Sequence, residues 1–144
     1  MASILVVDDE AEIRDLIERV LVQEGHHVKL AVNGAAALEA IGGQPYDLVI
    51  CNVRMPVMDG PTLYARLLET DPGQASRFVF CTGDIVSPEV RSFLLSIDQP
   101  VLTKPFGIAS LRETVRHFLG DLARLRYPVA HQVQERKSTM PYTS

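Results

Sequence analysis

A chain of 144 residues has the length of one domain and is too short for two well-filled cores. With 47% hydrophobic and 22% charged residues, a net charge of −4 and a mean hydropathy near zero, its composition is that of a soluble globular domain. That balance speaks against a nucleic-acid surface, since there is no clustered excess of Lys and Arg, no basic stripe and no helix-turn-helix pattern after the main body.

The N-terminus runs from Met1-Ala2-Ser3 straight into Ile4-Leu5-Val6-Val7, without the basic start and longer apolar stretch of a signal peptide. No apolar run approaches the roughly 20 residues needed to cross a bilayer, so neither membrane nor nucleic acid is an expected partner. Residues 4–7 read as a strand buried on both faces. Ile13, Leu16, Ile17, Val20 and Leu21 then fall on one helical stripe, and Gly25 offers a stop. Residues 28–32 read as a second strand, Asn33-Gly34 as a turn, and 35–41 as a short Ala-rich helix ended by Gly42-Gly43.

A third apolar run, 47–53, is interrupted near its end by Asn52. The turn-prone segment Met55 to Gly60 follows, then a helix around Leu63, Leu67 and Leu68. Residues 78–81 form the fourth strand candidate. Val90, Phe93, Leu94 and Ile97 make a fourth helical stripe after Pro88, which suits a first-turn position. Val101-Leu102 is a short fifth strand ending at Thr103-Lys104-Pro105, and Ile108, Leu111, Val115, Phe118, Leu119 and Leu122 mark a fifth helix. Cys51 and Cys81 lie inside strand runs without nearby His, so reduced core thiols of a cytoplasmic protein are expected, not a disulfide or a metal site. The domain is expected to span 1–122. Arg126-Tyr127-Pro128 interrupts the last helix, so 123–144 is expected to be a helix extension or a disordered tail, with no output domain.

Five strand–helix pairs imply an α/β domain: a parallel sheet, helices on both faces and right-handed crossovers. In such folds the functional crevice lies at the carboxyl ends of the strands. The residues at those ends are Asp8-Asp9-Glu10, Asn52, Thr82 and Lys104, all polar and each following an apolar run. Adjacent carboxylates repel unless a cation is near, and hard Mg²⁺ is satisfied by one or two carboxylates, carbonyls and water. One of the two aspartates could equally serve as a helix cap. Thr82 can donate to an anionic oxygen or be an ordinary β-branched strand residue. Lys104 can be a fixed countercharge for a phosphoryl group or a solvated lysine. Lys104-Pro105 is a candidate cis peptide.

The segments Ile4 to Glu10, Asp47 to Gly60, Cys81-Thr82-Gly83 and Leu102 to Phe106 together resemble the receiver domains of bacterial two-component response regulators, in order, over residues 3 to about 120. The resemblance implies a flavodoxin-like, doubly wound sheet of five parallel strands in the order 2-1-3-4-5. It implies Mg²⁺ held by Asp8, Asp9, position 52 and the Arg54 backbone carbonyl. It makes position 52 the phosphoacceptor, with Thr82 bonding the phosphoryl oxygens and Lys104 neutralising them. A histidine kinase or phosphotransfer protein would be the phosphodonor. A homodimer could form through the surface of the fourth helix, fifth strand and fifth helix.

The chain departs from that pattern at two positions. Asn52 carries a carboxamide, a poor nucleophile that cannot form an acyl phosphate, and its missing charge should weaken Mg²⁺ binding. Two origins fit Asn52: a change introduced into a competent receiver, or a natural pseudo-receiver. Retention of Asp8, Asp9, Thr82 and Lys104 favours the first. Val101 stands where receivers often carry an aromatic residue, so threonine–aromatic switching is in doubt. Any switching is then expected in backbone shifts near Gly83-Asp84 and the helix of Val90 and Phe93. Arg54 and Asp84 could pair across the site mouth as modulators of dephosphorylation, or as a surface ion pair without function.

The leading expectation is a stand-alone receiver, catalysing only its own phosphorylation and dephosphorylation when residue 52 is Asp and phosphorylation-incompetent with Asn52. A phosphate-independent protein-binding module is the alternative. A Mg²⁺-dependent phosphatase would need an Asp-x-Asp motif after the first strand, which Asp8-Asp9-Glu10 does not supply. A flavodoxin would need a Ser/Thr/Gly-rich phosphate loop in place of that acidic one.

Overall fold

The structure is a computed structural model and describes residues 1–126, with side chains to residue 120. Five strands, β1 (Ser3–Val7), β2 (His27–Ala31), β3 (Leu48–Asn52), β4 (Phe78–Thr82) and β5 (Val101–Thr103), form one sheet. All pairs are parallel and the order is β2-β1-β3-β4-β5, the doubly wound arrangement expected from the sequence. The helices are α1 (Ala11–Gln23), α2 (Gly34–Gly43), α3 (Gly60–Thr70), the single turn α4 (Pro72–Ala75), α5 (Pro88–Leu95) and α6 (Ile108–Arg126). The fourth and fifth helices of the sequence reading are therefore α5 and α6.

Strand alternation divides the apolar residues into two cores. Leu5, Val7, Val49, Cys51, Phe78 and Phe80 face one side, where α2, α3 and α5 supply Ala37, Ile41, Leu63, Leu67 and Val90. Ile4, Val6, Leu48, Ile50, Val79 and Cys81 face the other, covered by Ile17, Val20 and Leu21 of α1 and Leu111 and Val115 of α6. Each Val, Leu, Ile or Phe among them contributes about 1.5–3 kcal/mol when fully buried. The central strands therefore read as continuous apolar runs, not as alternation. Cys51 and Cys81 are free and lie on opposite faces of the sheet.

Several boundaries differ from the sequence reading. Gly34 is the first residue of α2, not part of a turn, because the Asn33 side chain caps the helix by accepting from the Ala36 N–H (2.9 Å). The single turn α4 has no counterpart in the sequence reading. Its signal is Asp71-Pro72, in which Asp71 accepts from the Gln74 N–H (3.2 Å) and Pro72 opens the turn. Helix α5 ends at Leu95, so Ile97 packs against the core from a loop. Helix α6 continues through 122 to Arg126. Of the segment 123–144, expected to be a helix extension or a disordered tail, residues 127–144 and the side chains of Leu122 and Leu125 lie outside the described residues.

Candidate functional site

The order β2-β1-β3-β4-β5 brings the carboxyl ends of four neighbouring strands together, and with them every polar residue singled out at those ends. Asp8 follows β1 and is 1% exposed, with its N–H held by the Ala31 carbonyl (3.1 Å). Its Oδ1 accepts from the Glu10 N–H (2.9 Å), and its Oδ2 accepts from Lys104 Nζ (2.9 Å). The same ammonium donates to Glu10 Oε1 (3.1 Å). Lys104 is placed by its own N–H, which bonds the Thr82 carbonyl (2.8 Å), and the Lys104–Pro105 peptide is cis. Burial works to lower the lysine's pKa, but the bonds to Asp8 and Glu10 outweigh it and the net displacement is upward.

Asn52 ends β3 and is 7% exposed. Its Nδ2 donates to Asp9 Oδ1 (3.2 Å) and to the Arg54 carbonyl (2.8 Å). Both neighbours are acceptors only, and that fixes which end of the amide faces them. Thr82 ends β4, with its Oγ1 donating to the Asp84 carbonyl (2.9 Å) and accepting from the Asp84 N–H (3.0 Å). The hydroxyl is thus held by its own loop. Val101 sits two residues below this edge, paired with Phe80 and half-buried.

Arg54 and Asp84 meet across the mouth of the crevice. Arg54 Nε lies 3.1 Å from Asp84 Oδ2, and one guanidinium nitrogen of Arg54 donates to Ser87 Oγ (2.9 Å). Asp84 Oδ1 accepts the N–H groups of Val86 and Ser87 (3.0 Å each). The Ser87 and Val86 N–H groups, more than Arg54, hold the Asp84 carboxyl below its ordinary value. The Arg54 side chain is 60% exposed. An Arg54→Ala/Asp84→Ala double-mutant cycle should therefore give only a small coupling that shrinks as salt is raised. Urea unfolding at two ionic strengths checks this, and a larger, salt-insensitive coupling would refute it.

Three features of the site were not read from the sequence. Glu10 shares the lysine, Ser87 shares the arginine, and an aromatic cluster lies under the β4 end of the crevice. In that cluster Tyr64 stacks edge-on against Phe78, Phe80 and Phe93 at 5.5–6.1 Å, and Phe93 meets Phe80 at 5.0 Å. The Tyr64 hydroxyl donates to Gln99 Oε1 (3.1 Å). Phe78 and Phe80, two apart on one strand, were the available signal. Their partners on α3 and α5 come from a distance in sequence.

A doubly wound parallel sheet with an acidic strand end, a lysine on the neighbouring edge and a polar residue between them defines a receiver-type signalling domain. The comparisons agree. The family profile of the response regulator receiver domain matches residues 4–116. The chain is 31% identical over 119 residues to the response regulator receiver protein CpdR of Brucella abortus, covering 83% of this chain and 98% of CpdR. It is 36% identical over 121 residues to the sensor kinase CckA of the same organism, covering 82% of this chain but only 12% of CckA. The fold matches the response regulator protein TrrA of Thermotoga maritima, solved in complex with Mg²⁺–BeF, with a TM-score of 0.69 and 30% identity over 82% of this chain and 99% of that one. The chain belongs to the response regulator receiver domain family of two-component signalling.

The arrangement does not fit a resident divalent cation as it stands. Lys104 engages Asp8, and the Asn52 NH₂ group engages both Asp9 and the Arg54 carbonyl. Among the described residues, no group of three His, Cys, Asp or Glu side chains is arranged to hold a metal, and no helix is long and apolar enough to cross a membrane.

Proposed function

We propose that position 52 is the phosphoacceptor position of this receiver and that Asn52 holds the chain in its unphosphorylated, inactive-state form within a histidine-kinase phosphorelay. The observation that carries this reading is the placement of residue 52. It ends the central strand β3, with the acidic end of β1 on one side and Thr82 and Lys104 on the other. A carboxylate there would attack the phosphorus of a phosphohistidine. A P–O bond would form, the P–N bond would break, and the imidazole would leave. The amide has no such nucleophile. Thr82 would turn its hydroxyl from the Asp84 carbonyl toward a phosphoryl oxygen, and Lys104 would supply the countercharge. Arg54 and Asp84 would govern access of water at the mouth. With Val101 in place of an aromatic ring, the switch would run through Gly83-Asp84 and α5.

The partners in this reading are a histidine kinase or phosphotransfer protein, in keeping with the likeness to a sensor kinase. A homodimer would use the α5–β5–α6 face, where Leu95 and Ile108 are exposed. The two buried free thiols suit a cytoplasmic protein. Mg²⁺ binding is weakened by Asn52, which removes one negative charge from the acidic edge.

The test is intact mass spectrometry of an Asn52→Asp version incubated with acetyl phosphate and Mg²⁺. Gain of one phosphoryl group by the variant, and none by the Asn52 chain, is the expected result. No gain by either would sink the reading. It would favour a second one, a phosphate-independent binding module, to which the Asn52 NH₂ group, with both hydrogens bonded inside the protein, lends support.

A further inference from the structure

The Asn52 side chain does more than lack a nucleophile. Its one nitrogen carries two hydrogens, and both are used: one on Asp9 Oδ1 at 3.2 Å, the other on the Arg54 carbonyl at 2.8 Å. Those two oxygens are of the kind a hard cation takes as ligands, a carboxylate and a backbone carbonyl. Turning the amide over would set its oxygen against both of them, three acceptors with no proton to share. Asn52 is 7% exposed, so its amide nitrogen is shielded from water, while Asp9 itself stands exposed at the rim of the crevice. Lys104, in turn, spans Asp8 and Glu10. Three carboxylates thus find their positive partners within the protein: an ammonium for Asp8 and Glu10, an amide dipole for Asp9.

We infer that the Asn52 carboxamide is a tethered substitute for the divalent cation of this crevice, filling its place between Asp9 and the Arg54 carbonyl and making the resting site independent of metal. The inference rests on reading position 52 as the phosphoacceptor position, and it goes beyond a loss of affinity. A merely weakened metal site would leave the two oxygens waiting for an ion, whereas here they are already bonded. With Asp at 52 the amide donors are gone and a fourth carboxylate joins the group. The repulsion then calls for a cation. With Ala at 52 the donors go but no charge is added, so the gap between Asp9 and the Arg54 carbonyl becomes available to an ion or to water.

The experiment compares the full chain with its Asn52→Ala and Asn52→Asp variants, by calorimetric titration with MgCl₂ and by melting temperature with and without millimolar Mg²⁺. The expected pattern has three parts. Asn52→Asp binds Mg²⁺ at least about tenfold more tightly than the Asn52 chain. The melting temperature of the Asn52 chain is unmoved by Mg²⁺. That of Asn52→Ala is lower by roughly 3–6 °C and is partly restored by the ion. Equal Mg²⁺ affinity in the Asn52 chain and its Asn52→Asp variant would overturn the inference. Equal stabilisation by Mg²⁺ of the Asn52 chain and its Asn52→Ala variant would do the same. If Asn52→Ala does not fold, the melting temperature of the Asn52 chain decides: no shift with millimolar Mg²⁺ is expected, and a rise would overturn the inference. The expected metal pattern together with no phosphoryl gain by Asn52→Asp would defeat the phosphoacceptor reading and leave the amide's role standing.

Discussion

Replacing Lys104 with Met is expected to cost the domain about 3–5 kcal/mol of stability, the range for removing one partner of a buried ion pair. Asp8 is 1% exposed and its carboxylate lies 2.9 Å from the ammonium, whose side chain is itself only 12% exposed. Met fills much the same volume, so the loss is electrostatic: Asp8 keeps the Glu10 N–H but has no countercharge. Glu10, with its side chain 60% exposed, is solvated in either case and adds little. A second substitution, Asp8→Asn, should recover most of the loss by removing the charge that had been stranded. Urea unfolding of the two variants and the double variant checks this. A single-variant loss under about 1 kcal/mol would mean that water reaches Asp8 freely.

The same pair sets a pH dependence. Lys104 titrates above its ordinary value in the folded chain, because Asp8 and Glu10 outweigh the opposing effect of burial. The folded state therefore binds that proton more tightly than the unfolded one. The stabilisation is fully present below the unfolded lysine's pKa, near 10.5, and is lost as pH rises through the folded value. Near neutral pH the lysine's contribution does not change with pH. In Lys104→Met the alkaline fall in stability should be correspondingly shallower.

Gly60→Ala is the second large effect, expected at about 2 kcal/mol, within the range for forcing an extra methyl group into a packed site. An added Cβ would stand 2.7 Å from the Asn52 carbonyl oxygen and 3.2 Å from Val53 Cα. Both are backbone atoms of the strand that carries the site, so neither can swing aside. The start of α3 must then move off β3, stretching the bond from the Gly60 N–H to the Val53 carbonyl (2.9 Å). The cost is steric, since Gly60 is not among the positive-φ glycines. Gly107→Ala is the natural control: nothing lies within 4 Å of its Cβ position, and its effect should stay within about 0.5 kcal/mol. Melting curves and amide spectra of residues 52–54 test both. An undisturbed 52–54 segment in Gly60→Ala would show that α3 is not seated on β3 as tightly as the distances state.

Much of this architecture could be read from residue order because the information was local. Strands buried on both faces appear as unbroken apolar runs, and their ends appear where Asp8, Asn52, Thr82 and Lys104 break them. Short elements were less legible. The four residues of α4 show no periodicity, and β2 sits one residue earlier than its apolar run because hydrogen bonding to β1 begins with His27 opposite Ser3. Least legible were contacts that depend on pairing register. Asn52 can reach Asp9 because β1 lies beside β3 with Val7 opposite Cys51. No spacing along the chain encodes which end of an amide will face a carboxylate. Ser87 reaches Arg54 only because Asp84 has already folded the intervening loop around its own carboxylate.

The sheet also separates the chain's two cysteines into sealed compartments. Burial pushes the Cys51 thiol well above its ordinary pKa and that of Cys81 up to about 12, so neither is a reactive thiolate while the core is shut. Alkylation at Cys51 therefore times the parting of α2, α3 and α5 from the sheet, and alkylation at Cys81 times the parting of α1 and α6. The protein carries two internal clocks, one for each half of its interior, and their agreement or disagreement would tell whether the halves open as one cooperative unit.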